Sequence, residues 1–434
     1  IGQYDPLTGR YRGVTPAQGG SPVQQGLAAD GLGVPMGDVR VITPQDVGGG
    51  FGMKSPVFPE QVLVCWAAKR LGRPVKWYAD RTDAFLTDGQ ARDHRFQAEL
   101  ALDGDGRFLA LRNRVISNMG AYMTPSGAPI PTEGGTRMLA NVYRIPAVYS
   151  EALCVYTHTT PIVAYRGAGK PEFGHVVERL VDMAARELAI DPADLRRRNM
   201  ITPDQMPYRT PTGLVYDSGD FAGSMDKALA LADRAGLAQR RAAAEARGKL
   251  LGFGFCVFTE PDGYKDGRVT MTFDPTGMLT LTMTAQDNGQ GHWTTFAQVV
   301  ADRLGVPVEK VRVVQGDTDR VGFGLGTGGS RVATVAGSAI YHGALEIVEK
   351  GKRIAAQMLE ADTADIEFAA GRFTIAGTDR SVDILAVAKA AFDVAKVPAP
   401  QGLGLEASYH YAARAYSYSS GCHVAEVEID RETG

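Results

Sequence analysis

At 434 residues, with 44% apolar and 22% charged side chains, the chain is long enough for two or more cores and ordinary in composition for a globular protein. A formal net charge of −3 gives no basic footprint for nucleic acid, and no apolar run approaches the ~20 residues of a membrane-crossing helix. Cys65, Cys154, Cys256 and Cys422 form no C-x-x-C pair, which excludes zinc and iron–sulfur ligation patterns and suggests free thiols in a cytoplasmic, reducing setting.

In chain order, the β-branched run Val39–Ile42 follows a Gly-Val-Pro break and reads as a strand. An apolar helix is expected over residues 60–71; Lys69 and Arg70 suit its C-terminal dipole, and Gly72 with Pro74 ends it. Residues 95–117 read as a hairpin turning at Asp103-Gly104-Asp105-Gly106. A helix opening at Pro171 carries Phe173, Val176, Val177, Leu180, Ala184 and Leu188 on one stripe. Residues 226–249, charged and alanine-rich, read as a helix followed by a hinge. Residues 268–285 form a second expected hairpin, turning at Asp274-Pro275-Thr276-Gly277. Then come a helix with Phe296, Val299, Val300 and Leu304 on one face, a strand at Val311–Val314, and a long alanine- and valine-rich helix after Arg331.

An internal duplication organises these elements. Residues 29–52 (ADGLGVPMGDVRVITPQDVGGGFG) align without a gap to residues 301–324 (ADRLGVPVEKVRVVQGDTDRVGFG), with 12 of 24 positions identical. The same 272-residue offset places Gln18-Gly19 on Gln290-Gly291. The expectation is an α+β protein of two tandem related domains, 1–248 and 249–434, with short strands, hairpins and packed helices.

Glycine is the outlier of the composition, with 52 residues set between apolar segments, where the backbone turns sharply or approaches something closely. Four glycine turns precede expected helices, at residues 48–52, 166–170, 288–292 and 324–331. A helix N-terminus leaves N–H groups unpaired and carries partial positive charge, and glycine lets a ligand reach them. Four such turns, two of them related by the duplication, point to a large phosphate-bearing cofactor. Gly324 to Gly329 formally match G-x-G-x-x-G, but about ten residues separate them from the strand at Val314, which argues against a dinucleotide-binding βαβ unit. A nucleotide-dependent dehydrogenase is therefore the weaker alternative, and no G-x-x-x-x-G-K-[ST] occurs.

The chain resembles the molybdenum-binding large subunit of the xanthine dehydrogenase and aldehyde oxidase family, the molybdenum hydroxylases. The resemblance spans nearly the whole chain through VGGGFGMK at 47–54, TPIVAYRGAGKPE at 160–172, LAIDPADLRRRNMI at 188–201, DNGQGHWTTFAQVVADRLG at 287–305, GLGTGGSRVATVAGSA at 324–339 and CHVAEVEID at 422–430. It implies a molybdopterin cytosine dinucleotide whose molybdenum is held by the pterin dithiolene and not by side chains. By match to the motifs, Gly49, Gly50, Phe51 and Gly52 lie at the metal, and Arg166 and Gly167 offer backbone N–H groups near it. Gly289, Gln290, Gly291, His292, Gly329, Ser330 and Arg331 contact pterin and phosphate. The substrate pocket is drawn from Phe51, Ala168, Phe255, Cys256 and Val257.

The implied reaction oxidises an aldehyde or N-heterocycle with oxygen from water, and passes electrons to 2Fe-2S clusters and an FAD module on partner subunits or domains. The relatives' general base, a glutamate, is expected beyond Gly434, so no catalytic residue is assigned in the chain. The first residue, Ile1, together with missing N- and C-terminal parts, suggests a piece of a larger subunit, and a non-catalytic cofactor-binding or assembly domain is the alternative. Gly167-Ala168 stand where copper-containing relatives carry a cysteine, and Ser55 where purine oxidisers carry a carboxylate; both argue for another small-molecule substrate.

Overall fold

The chain begins with β1 (Gly2–Asp5), β2 (Arg10–Val14), α1 (Gly20–Gln25), β3 (Val39–Ile42) and α2 (Pro59–Leu71) in a computed structural model that describes residues 1–398 and 401–434. Next come α3 (Arg81–Thr87), β4 (His94–Leu102), β5 (Phe108–Asn118), β6 (Ala147–Val155), α4 (Lys170–Glu187) and α5 (Pro192–Asn199). A small hairpin of β7 (Tyr208–Arg209) and β8 (Val215–Tyr216) leads to α6 (Phe221–Leu231), α7 (Leu237–Ala246) and the long β9 (Lys249–Asp262). Then follow β10 (Asp266–Phe273), β11 (Leu279–Met283), α8 (His292–Leu304), β12 (Val311–Val314) and α9 (Val332–Leu359). The last elements are β13 (Ile366–Ala369), β14 (Arg372–Ile375), β15 (Ser381–Asp383), α10 (Ile384–Ala390), β16 (Glu406–Ala412) and β17 (Ser417–Asp430).

These elements gather into two units that cut across the sequence halves. One comprises Ile1–Arg81 and Gly263–Ala415; the other comprises Thr82–Asp262 and Tyr416–Gly434. The stretch expected to be a helix and a hinge is instead two helices, α6 and α7, broken where Asp233 takes a left-handed φ of 46°. The chain then enters β9 without leaving its unit.

The first unit holds both copies of the duplicated segment. The helical stretch formed by α1 and a π-helical continuation at Gly26–Leu32 lies 272 residues before α8, end for end, and β3 lies the same distance before β12. Each of these strands pairs in parallel with its neighbour, β3 with β2 and β12 with β11. The two copies join where the strands end: Thr43 N donates to the Gly316 carbonyl at 2.7 Å and Thr318 N to that of Val41 at 3.0 Å. Beside this seam Arg40 pairs with Asp317 at 2.6 Å and Arg10 with Asp319 at 2.7 Å. One apolar core lies under β1–β3 (Tyr11, Val23, Leu27, Val41, Cys65), and a larger one between the sheet β12-β11-β10-β16 and helices α8 and α9 (Met271, Phe273, Leu281, Val300, Ile340).

In the second unit, β4 and β5 form the expected antiparallel hairpin, extended by parallel β6, and α4 lays Phe173, Val177 and Val181 against the core. The LRRRN run of α5 is consumed by folding. Arg196 is fully buried, donating to Glu178 Oε2 at 2.9 Å and pairing with Asp182 at 2.9 Å, while Tyr143 OH donates to Glu178 Oε1 at 2.5 Å. Burial pushes the Glu178 carboxyl up; the Arg196 guanidinium and the tyrosine hydroxyl pull it back. Asn199 accepts from Phe108 N at 2.9 Å and donates to the Gly106 carbonyl at 2.9 Å, which fixes the β4–β5 turn.

Candidate cofactor-binding loops

Three of the four glycine turns belong to the first unit, and they are joined there. The joint is Gln18, a buried residue just before α1. Its Oε1 accepts from Gly52 N at 2.7 Å, its Nε2 donates to the Thr327 carbonyl at 3.0 Å, and its own carbonyl accepts from Thr327 N at 2.6 Å. The loop at 288–292 closes the group, because Gly49 N donates to the Asn288 carbonyl at 2.7 Å and Asn288 Nδ2 to that of Ala17 at 2.9 Å. Thr327 also exchanges bonds with the Gln286 backbone, at 2.5 and 3.0 Å. The packing demands glycine: a methyl on Gly326 would lie 2.3 Å from the Gln18 carbonyl oxygen, and one on Gly50 2.5 Å from the Gln18 side chain.

Other glycines of these loops face open space, whereas Gly324 and Gly329 are packed against Thr284 and Tyr264. Gly48, Gly289 and Gly291 have φ of 71°, 117° and 80°, which exclude most side chains, yet an added methyl on each would meet nothing within 4 Å. Such a rim, turned by backbone and left clear of side chains, suits a bulky group that takes hydrogen bonds from peptide N–H. Phe51 and Ser330, at φ of 56° and 53°, place two left-handed non-glycine residues in the same loops, and the Phe51 ring is half exposed.

The turns do not all act as helix N-termini. The loop at 48–52 was expected to open a helix, but α2 is capped by Phe58, whose N–H donates to Gln61 Oε1 at 3.0 Å, well after Gly52. At α8 a carboxylate already occupies the terminus: Asp287 accepts from Gly289 N at 2.7 Å and from His292 N at 2.6 Å. Gln290 turns inward, accepting from Asn288 N at 2.6 Å and donating to the Gln286 carbonyl at 3.2 Å. His292 is buried against Phe296 and 3.3 Å from Gln315 Nε2, and burial holds its imidazole below the usual range, so the ring is neutral at pH 7. Arg331, also buried, donates to the Gly326 carbonyl at 2.7 Å and steadies the last loop.

The fourth turn, with Arg166, Gly167 and Ala168, lies in the second unit. Gly167 and Gly169 take φ of 90° and 96°, Ala168 takes 44°, and α4 begins directly after with Pro171 in its first turn. Phe255 and Val257 pack into that unit's core, the Phe255 ring lying 4.5 Å from the Arg196 guanidinium. Burial raises the Cys256 thiol, which keeps it protonated and a poor nucleophile. Sequence reasoning passed over Gln18 and Asp287. The signal for Gln18 was present, since the 272-residue offset already paired it with Gln290.

Residues 1–200 and 227–434 each match the model of the molybdopterin cofactor-binding domain. The chain belongs to the molybdenum hydroxylase family as a molybdopterin cofactor-binding part. Among similar proteins of this family, the carbon monoxide dehydrogenase large chain of Hydrogenophaga pseudoflava is 35% identical, over 100% of this chain and 56% of its own length. The nicotine 6-hydroxylase large subunit of Paenarthrobacter nicotinovorans is 35% identical over 91% of this chain and 50% of its own. The crystal structure of quinoline 2-oxidoreductase from Pseudomonas putida 86 superposes with a TM-score of 0.93 at 36% identity, covering 100% of this chain and 57% of that one. The molybdenum hydroxylase chain described here thus spans about half the length of the curated relatives it matches. No helix among its described residues is long and apolar enough to cross a membrane.

Proposed function

We propose that this chain holds a molybdopterin cytosine dinucleotide on the three joined loops and forms the cofactor site of a cytoplasmic hydroxylase for N-heterocycles or aldehydes. The observation that carries the reading is the Gln18 joint, which brings loops more than 270 residues apart in sequence onto one amide-lined, methyl-free rim. Backbone N–H groups of Gln290, Gly291 and residues 329–331 bind phosphate and pterin oxygens, Gly289 and His292, whose own amides Asp287 holds, shape that loop, and Gly49, Gly50, Phe51 and Gly52 border the metal end. When bound, the cofactor supplies two-electron oxidation with water as the oxygen source.

The residues of the chain orient and enclose. Phe51, held in a left-handed conformation with its ring half exposed, presents an apolar face to the substrate. Phe255, Cys256 and Val257 serve as support from the core side, since Phe255 and Val257 are engaged there. The roles given to Arg166, Gly167 and Ala168 rest on the AYRGAG motif. Among the described residues no three His, Cys, Asp or Glu side chains gather as metal ligands. An N-heterocycle is favoured by the likeness to the quinoline and nicotine enzymes, and the loop at 166–170 contains no cysteine to hold copper. Iron–sulfur and FAD partners would accept the electrons.

Metal and pterin analysis of the chain purified from a molybdate-replete host tests the reading. About one molybdenum and one cytosine nucleotide per chain are expected; abundant folded protein with neither sinks it. Dye reduction driven by quinoline or an aldehyde in the assembled complex separates a hydroxylase from a carrier domain, which would bind the cofactor without turnover.

A further inference from the structure

The carbonyls of the fourth glycine turn are held by two cations. Arg92 donates from Nη2 to the Arg166 carbonyl, and Lys170 Nζ donates to the Gly167 carbonyl at 3.3 Å. Each cation is backed by a carboxylate: Glu172 Oε1 lies 3.9 Å from Arg92 Nε, and Glu260 Oε1 lies 3.2 Å from Lys170 Nζ. The Glu172 side chain is only 8% exposed, and its Oε1 also lies 3.8 Å from Nε2 of His94, whose ring is buried and whose Nδ1 sits 2.7 Å from Ser117 Oγ. Glu172 Oε2 and His94 Nε2 are buried without a hydrogen-bond partner, an arrangement that simple core packing avoids. Arg92 itself holds a strained φ of 65° and lines a groove of about 640 Å³ between β4 and α4.

The geometry of a trans peptide gives this grip a direction. The only cis bond among the described residues is Met206–Pro207, so the carbonyl of Arg166 and the N–H of Gly167 point opposite ways in one plane. A guanidinium on the carbonyl side fixes that plane and polarises the peptide, which strengthens the N–H as a donor on the far side. We propose that Arg92, backed by Glu172, is a positioning residue that holds the Arg166–Gly167 peptide plane and so presents the Gly167 N–H as a donor to a ligand. The identity of the acceptor rests on the function proposed above; the aiming of the amide does not.

Hydrogen exchange read by mass spectrometry on peptides covering 165–170, together with pterin content, tests this in the full chain. The amides of Ala168 and Lys170 close the loop on the carbonyls of Tyr165 and Gly167 and so report its order. Arg92→Ala should speed their exchange about tenfold or more, the factor carried by one charge-assisted hydrogen bond. Arg92→Lys should recover part of the protection, and added ethylguanidinium, small enough for the groove, should recover part in Arg92→Ala. Pterin content should fall and recover in the same order. Unchanged exchange in Arg92→Ala overturns the proposal, as does a loss that neither lysine nor ethylguanidinium relieves. A changed exchange with full pterin content refutes the cofactor as acceptor. A wild-type chain without pterin would count against the proposed function, while the exchange arm still decides the role of Arg92.

Discussion

The two copies of the duplicated segment carry the same Gln-Gly pair and use it in opposite ways. In the first copy Gln18 reaches outward, tying Gly52 and Thr327 to one side chain. In the second, Gln290 folds back on its own loop, and Asp287 takes up the amides of Gly289 and His292. One copy became the fastener of the loop cluster, and the other a self-contained turn with an open rim. Equal sequence at paired positions therefore does not mean equal work: long-range partners decide which glutamine is structural glue.

That contrast can be broken most severely at the glycines. Gly326→Ala forces a methyl against the Gln18 carbonyl and into a left-handed φ of 68°, so a loss of about 3–5 kcal/mol in denaturant unfolding is expected. Gly291→Ala meets only the conformational penalty, about 1–2 kcal/mol, because its surroundings are open. Equal losses at the two positions would refute the difference drawn between them. A smaller separation is expected for the glutamines: Gln18→Ala should lose about 2–3 kcal/mol and much of its bound pterin, and Gln290→Ala about 1 kcal/mol. Pterin retained by Gln18→Ala would show that the cluster does not depend on its fastener.

The smallest effect is on pH dependence. His292 has Gly20 as its counterpart, so only the second copy titrates at this position. Burial lowers the His292 pKa below the ordinary 6.5. The unfolded chain then binds the proton more readily than the native one, and stability present above about pH 6.5 is lost as the pH falls. His292→Gln should flatten the fall in thermal midpoint between about pH 7.5 and about 5.5. It should do so only in part, because His94 in the other unit is lowered by burial in the same sense. An unaltered slope would show that His292 takes up its proton without loss of packing.

The parts legible in the sequence were the local ones. Strands β3 and β12 fall where β-branched runs follow Gly-Val-Pro, and α4 carries its proline in the first turn, because backbone preferences act over a few residues. The glycine turns were visible for the same reason. What was not legible depends on partners far away in the chain. Gln18 and Thr327 are 309 positions apart, and no periodicity announces their bond. The arginines of LRRRN read as part of a family motif, and only burial of Arg196 beside Glu178 reveals a role in the core. Asp287 stands in the sequence only as the first residue of the DNGQGH motif, and the fold alone places its oxygens on the amides of Gly289 and His292.

The interleaved order of the two units shapes how this chain emerges from the ribosome. Residues 1–81 hold all three strands of their own sheet, but their seam forms only with segments that follow Gly263, and β9 waits for β17. The seam between the two copies and the β9–β17 pair therefore form only after long intervening segments have been made. These long-range contacts leave a window in which a chaperone's protection matters.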